Sequence, residues 1–280
     1  EDMCTVKGEP KAVLDSVTSA KKGTELYNHA FYEAASIRKF NDTYYLIYSS
    51  GRNNELAYAT SKYPDRDFEY KGVLISNSDL GYKGNKQRKA PAGTIHGSVE
   101  QINGKYYVFY HRCTNNTDFS RQACAEPIEM INGEFVQTEV TTQGVGKSLK
   151  ALGEYSAALC CNLYNSKTKN VQGNGHGDDQ PNIAYRRGEH FVTAITDGTT
   201  VGFKYFDFDN PKYMEVTVRG QGGSINITTA NGNAIASIIW EKSDGWKTYT
   251  AKLRQIKGVQ PLFFTFASKG RADFKSFTLL

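Results

Sequence analysis

Two stretches of the chain repeat each other 62 residues apart: Ser36-Ile-Arg-Lys-Phe-Asn-Asp-Thr-Tyr-Tyr-Leu-Ile-Tyr-Ser-Ser50 and Ser98-Val-Glu-Gln-Ile-Asn-Gly-Lys-Tyr-Tyr-Val-Phe-Tyr-His-Arg112. In each, a short alternating run meets a two-residue turn, Asn41-Asp42 or Asn103-Gly104, and a run rich in Tyr and aliphatic residues follows. That order is the sequence form of a β-hairpin with a type I′ turn, because Asn and Gly tolerate the positive φ such a turn requires. A third turn of this kind, Asn132-Gly133, lies between Ile128-Glu-Met-Ile and Glu-Phe-Val-Gln. Adding Glu55-Leu-Ala-Tyr-Ala-Thr-Ser61 and Phe68-Glu-Tyr-Lys-Gly-Val-Leu-Ile75 gives the first unit about four short strands, and four-stranded units repeated at this scale predict propeller blades. The spacing exceeds the roughly 40 to 50 residues of common propeller repeats. A polar, Gly- and Lys-rich stretch from Ser76 to Thr94 accounts for the excess and reads as a loop on the binding face.

From Asn165 to Gln180 the chain carries almost no apolar residue and three Gly, so a linker or exposed loop is expected there, and with it a boundary between residues 1–165 and 181–280. Beyond it, seven strand-like runs follow one another at turn-punctuated spacing, from Thr200–Phe208 to Phe274–Leu279. Seven strands in so short a span predict a jelly-roll-like β-sandwich. No amphipathic helical window is long enough to compete, so the fold class is all-β.

Composition limits the function classes. Lys and Arg number 34 against 29 Asp and Glu, a mild excess without the clustered basic run of a nucleic-acid binder. No apolar stretch approaches the roughly 18 residues of a membrane span. The five cysteines include no CxxC pair, and neither a zinc site nor a disulfide framework is written in their spacing.

Three polar residues are candidates for chemistry, two of them at comparable places in the repeated units. Glu33, in His29-Ala-Phe-Tyr-Glu-Ala-Ala-Ser-Ile-Arg-Lys39, is an acid among small and aromatic neighbours at the start of a blade's innermost strand, the strand that lines a propeller's axial cleft. A carboxylic acid packed among aromatics keeps its proton more readily, which suits proton donation, although such a Glu also serves as a structural ion-pair partner. His96 occupies nearly the same place in the second unit and should also point at the axis, either to contact a ligand or ion or to be fixed by a backbone bond. Arg121 begins the next strand pair, where its planar fork could clamp a sugar or carboxylate or remain a surface cation.

Together the His29–Lys39 stretch, Tyr44-Tyr-Leu-Ile-Tyr-Ser-Ser50, His96-Gly-Ser98 and Gly104-Lys-Tyr-Tyr-Val-Phe-Tyr-His-Arg112 resemble glycoside hydrolase family 43, over residues 1 to about 165. The resemblance implies a five-bladed β-propeller, here only part of one, that hydrolyses arabinose- and xylose-containing plant polysaccharides with inversion, using a Glu acid, an Asp base and a second Asp that tunes the acid. It implies Glu33 as the acid, His96 beside a water-coordinated structural calcium at the propeller centre, and Arg121 as the substrate-orienting arginine. Both family aspartates belong to blades ahead of Glu1, and Asp2 is no convincing replacement, so the chain is expected to be the later part of a longer enzyme. Three open blades should fold poorly alone.

Residues 181–280 resemble, more weakly, a family 6-type carbohydrate-binding sandwich, through Asp197-Gly-Thr-Thr-Val-Gly-Phe-Lys-Tyr-Phe-Asp-Phe208 and Asp244-Gly-Trp-Lys-Thr-Tyr249. Sugars bind such modules by stacking on exposed aromatics. The resemblance puts Phe203 and Trp246 at cleft positions, Trp246 in a turn at the rim, and Asp273 at a polar cleft position; both aromatics could equally fill the sandwich and its edge. The resulting expectation is a secreted or periplasmic glycosidase whose partner is a plant cell-wall polysaccharide or oligosaccharide, with no nucleic-acid or membrane partner. Its rival is a non-catalytic carbohydrate-binding propeller plus sandwich.

Overall fold

The computed structural model describes residue 2, residues 4–5, residues 8–167 and residues 180–280. Most of the linker expected between residues 165 and 180 lies outside the described residues. Strands β1 (Phe31–Phe40), β2 (Thr43–Ser50), β3 (Glu55–Ser61) and β4 (Glu69–Ser76) form one antiparallel sheet in chain order. The second repeat gives β5 (Gly97–Ile102), β6 (Lys105–Thr114) and β7 (Thr117–Ile128), with a small hairpin of β8 (Met130–Ile131) and β9 (Glu134–Phe135) beside it. These are two blade-like sheets among the described residues, where three were expected. At Asn103-Gly104 and Asn132-Gly133 both turn residues have positive φ, as a type I′ turn demands, whereas at Asn41-Asp42 only Asn41 does, with φ 52°.

The two sheets pack through a shared core. Tyr45, Ile47, Leu56 and Tyr58 of the first meet Val99, Val108 and Tyr110 of the second, with Phe135 of the small hairpin edge-on to Tyr45 and Tyr58. Burying an aromatic or aliphatic side chain of this size contributes roughly 1.5 to 3 kcal/mol. On the other face of the first sheet, Leu46, Tyr48 and Phe68 are covered by Val13 and Leu14.

The rest of the chain is a sandwich of two sheets. Its strands in chain order are β10 (Leu149–Lys150), β11 (Gly153–Ser156), β12 (Asn162–Asn165), β13 (Asn182–Arg186), β14 (Glu189–Ile195), β15 (Thr199–Asp209), β16 (Tyr213–Gly220), β17 (Gly223–Thr228), β18 (Ala234–Trp240), β19 (Ser243–Lys252), β20 (Lys257–Ser268) and β21 (Ala272–Leu279). One sheet runs β10-β15-β20-β17-β18, with β12 also on β15; the other runs β13-β14-β21-β16-β19, with β11 also on β21. The sandwich therefore takes in strands from Leu149 onward, and the expected division after residue 165 is corrected: β10, β11 and β12 belong to its sheets. Its core is aromatic, with Phe203, Phe206, Phe264, Phe274 and Phe277 fully buried against one another.

The ends of the stretch from Ser76 to Thr94 are wedged between blade and sandwich. Asn77, Ser78, Asp79, Ala90 and Ala92 within it are buried. Asp79 accepts from the Val140 backbone N–H at 2.9 Å and from Lys204 Nζ at 3.0 Å, and Lys204 Nζ also donates to Glu139 at 2.9 Å. A charge can be held inside only with such partners, and here they come from the wedge, the connection and the sandwich.

Candidate active site

Glu33 leaves the regular ladder at the start of β1. The β1–β2 register breaks on either side of its pairing with Ser49, and Ala34 takes a left-handed φ of 61°. A bulge of this kind re-aims one side chain of a strand, and here it turns Glu33 toward the second blade.

His96 sits just before β5, where the backbone comes unusually close to its neighbour. A Cβ on Gly97 would lie 2.1 Å from the Phe109 carbonyl oxygen, so only glycine fits. That approach lets the His96 backbone N–H donate to His111 Nε2 at 3.0 Å. The His96 ring reaches the other way, placing Nε2 2.9 Å from Glu33 Oε1.

Arg121, on β7, completes the group. Its Nε donates to the Asp118 carbonyl at 3.0 Å, and its Nη1 lies 3.3 Å from His96 Nδ1 and 3.1 Å from His111 Nε2. A guanidinium only donates, so both ring nitrogens facing it carry lone pairs. His96 therefore has its proton on Nε2 and donates it to Glu33. Burial first, then the charge of Arg121 and the neighbouring His96, push the pKa of His111 down to about 4, which leaves its ring neutral in ordinary buffers.

Glu33, His96 and Arg121, expected separately from three motifs, thus meet in one cluster. The surroundings of Glu33 differ from expectation, because its side chain is 40% exposed and bonded to an imidazole rather than buried among aromatics. Arg121 is no isolated surface cation, since two imidazoles and a carbonyl hold it. His111 was not singled out from the sequence, yet it joins the group. The hairpin register could have found it: with Asn103-Gly104 as the turn, Gly97 pairs with Tyr110, and the next residues outward are His96 and His111.

His29, at the head of the same motif, is structural. It is paired with Glu55, which is 2% exposed, and stacks on Tyr70 at 4.9 Å, while the Tyr48 hydroxyl donates to its carbonyl at 2.9 Å. These contacts fix the approach to β1 and hence the position of Glu33.

His96 itself is not free to ligate the calcium expected beside it. Calcium takes six to eight oxygen ligands, whereas both His96 ring nitrogens are engaged, one of them by a guanidinium. Among the described residues no group of three or more His, Cys, Asp or Glu is arranged to hold a metal ion.

In the sandwich the three expected sugar-contacting residues separate. Phe203 is corrected to a core residue, with 0% exposure and packed edge-on to Phe264 and Phe277, because β15 is covered on both faces at that point. Trp246 lies within β19 rather than in a rim turn, at an irregularity where the β16 ladder passes from Val218–Lys247 to Gly220–Ser243. Arg219 lies 4.2 Å from the Trp246 ring centroid, Phe191 meets the ring edge-on at 5.4 Å, and its Nε1–H donates to Glu189 at 3.1 Å. Asp273 joins this group by accepting from Arg219 and from the Thr193 hydroxyl. Trp246 and Asp273 therefore share one partner, Arg219, on the outer side of the sheet.

No family model matches the chain. It is similar to a curated xylosidase/arabinosidase of Thermoclostridium stercorarium, at 38% identity over 301 residues, covering 99% of this chain and 62% of that relative. Over a shorter region it is similar to a β-xylosidase of Xylanibacter ruminicola, at 32% identity across 39% of this chain and 30% of the relative. Among solved structures it is similar to a family 43 arabinoxylan arabinofuranohydrolase from Bacillus subtilis in complex with cellotetraose, at 18% identity and a TM-score of 0.47, covering 89% of this chain and 54% of that one. The chain thus spans less than two thirds of the length of the curated relatives it matches.

Proposed function

We propose that the chain, 38% identical to a xylosidase/arabinosidase along nearly its whole length, belongs to glycoside hydrolase family 43 and works as part of a longer, inverting glycosidase acting on arabinose- or xylose-containing plant polysaccharides, in a secreted or periplasmic setting. Glu33 is the general acid in this reading. It gives its proton to the leaving glycosidic oxygen, and a carboxylate from outside the 280 residues activates water on the opposite face of the sugar. The observation that carries the reading is the convergence of Glu33, His96 and Arg121, 63 and 25 residues apart in chain position, on one partly open cluster.

The chemistry follows from the tautomer. As Glu33 loses its proton, negative charge develops on a carboxylate that already faces the His96 Nε2–H, and a donor aimed where charge develops lowers the barrier. Arg121 adds a fixed positive charge one ring away. Neither Asp79 nor Asp42 is placed as the base: Asp79 is held by Lys204, and Asp42 sits at the turn end of β1–β2, the opposite end from Glu33. Inversion needs the base about 6.5 to 9.5 Å from the acid to admit water.

The test uses the full-length protein on aryl β-xylosides and α-arabinofuranosides, following the anomeric configuration of the released sugar. Glu33→Gln should lower turnover by roughly 10² to 10⁴ on xylo- and arabino-oligosaccharides, the usual worth of general acid catalysis, and by less on the aryl glycosides, whose leaving groups need little protonation. Retention of xylan without any hydrolysis by the full-length protein would instead favour the non-catalytic carbohydrate-binding reading.

A further inference from the structure

We propose that His111 is a positioning residue for the acid: its Nε2 lone pair, shared between the His96 backbone N–H and Arg121 Nη1, holds His96 in the tautomer that donates to Glu33. The inference rests on Glu33 being the acid only for its kinetic consequence; the hydrogen-bond arrangement stands on geometry alone.

The argument is one of converging donors. Two N–H groups, at 3.0 and 3.1 Å, point at a single nitrogen of His111, so that nitrogen cannot itself carry a proton. Each of the two bonds fixes a different part of His96. The backbone bond anchors its main chain against β6, at the point where Gly97 brings the strands together. The guanidinium bond orients Arg121 so that the same Nη1 also faces His96 Nδ1 at 3.3 Å. A proton on Nδ1 would then confront an N–H, which leaves Nε2 as the site of the His96 proton, 2.9 Å from Glu33 Oε1.

His111 has no direct contact with Glu33, so it acts through His96 and Arg121. The arrangement has a local cost, because the proton-bearing Nδ1 of His111 is buried and meets no protein acceptor among the described residues. A ring selected only for packing stability would pair that proton, since a buried donor left unpaired costs roughly 1 to 3 kcal/mol. Spending both close contacts on Nε2 is what a positioning role requires.

Neutron diffraction from crystals of the full-length protein reads the arrangement without any variant. Deuterium should appear on Nε2 of His96 and on Nδ1 of His111; deuterium on Nε2 of His111 would overturn the proposal, whatever the enzyme's activity. The kinetic arm compares His111→Gln with His111→Leu. The amide oxygen of Gln can still accept from both donors, so His111→Gln should stay within about threefold of the parent, whereas His111→Leu should lose on the order of tenfold in kcat at nearly unchanged KM, as expected when a catalytic group is misaligned but substrate contacts persist. Equal kcat for the parent and His111→Leu would also overturn it. If Glu33→Gln leaves hydrolysis intact while the deuterium positions are as stated, the fault lies in the assignment of the acid and not in the His111 arrangement.

Discussion

Arg38 and Glu100 occupy the same position in the two repeats, and they bind each other: Arg38 Nε donates to Glu100 Oε1 at 2.6 Å, with the Ser36 hydroxyl donating to that of Ser98 at 3.0 Å two residues earlier. The repeat is therefore also the contact between blades, because equivalent inner strands lie side by side. The pair is partly exposed, with side chains 34% and 47% accessible, so its geometry says more about register than about stability. A double-mutant cycle of Arg38→Ala and Glu100→Ala, followed by chemical denaturation, should give a coupling of about 1 kcal/mol or less. Coupling well above that would mean that the pair itself holds the blades together.

The buried ion cluster at the blade–sandwich junction should behave differently. Lys204 is 6% exposed and Asp79 is 5% exposed, and removing the lysine leaves Asp79 and Glu139 facing each other without a counter-charge. Lys204→Met should cost about 3 to 5 kcal/mol, whereas combining it with Asp79→Asn and Glu139→Gln should recover much of that loss. Calorimetry checks this: the single variant should show a lowered, broadened or split transition, and the triple variant a single one closer to the parent. A triple variant no better than Lys204→Met would assign the loss to packing.

The hairpins were legible because Asn-Gly turns and aromatic-rich strands are local signals, and the meeting of Glu33 with His96 followed from their equivalent places in a repeat. The sandwich boundary was not legible. Strands β10, β11 and β12 are two to four residues long, too short to show alternation, and they owe their existence to partners far along the chain, β15 and β21. Phe203 was misplaced for a related reason: a strand with both faces covered has no polar side to mark which aromatics point outward. Trp246 reads as a rim residue because Ser243-Asp-Gly resembles a turn, but Ser243 pairs with Gly220 of β16 and Asp244, Gly245 and Trp246 form an irregularity within the strand.

The surroundings of Trp246 alter what its removal should do. The ring shields Phe191, which is 1% exposed, and carries the Arg219 guanidinium, so it is more than an exposed platform. Trp246→Ala should destabilise the sandwich by about 2 kcal/mol, from a lost cation–π contact, a lost hydrogen bond and uncovered aromatic surface. Trp246→Phe, which retains the stacking and loses only the bond to Glu189, should cost about half as much. Affinity electrophoresis on xylan separates the roles: retention lost in both variants would tie sugar binding to the indole N–H, and retention unchanged in Trp246→Ala would remove Trp246 from any sugar contact.

Glu126 gives the junction a pH dependence of unusual sign. It is 2% exposed, and burial pushes its pKa up to about 7, against the opposing effect of hydrogen bonds from the Thr141 hydroxyl and backbone and from the Tyr110 hydroxyl, with the nearby charge of Asp79 adding to the rise. The unfolded chain releases this proton near 4.5. Between 4.5 and 7 the folded protein therefore holds more protons than the unfolded one, so stability falls as pH rises through that window and levels off above it. The shift corresponds to roughly 3 kcal/mol at full extent. Glu126→Gln keeps the shape and can still accept from the Thr141 N–H and Tyr110, while its amide donates to the Thr141 hydroxyl in place of the charged oxygen. Denaturation midpoints should then coincide for parent and Glu126→Gln near pH 5, with the variant more stable at pH 8. A difference between the two proteins that is the same at both pH values would show that Glu126 is already ionised in the folded protein near pH 5.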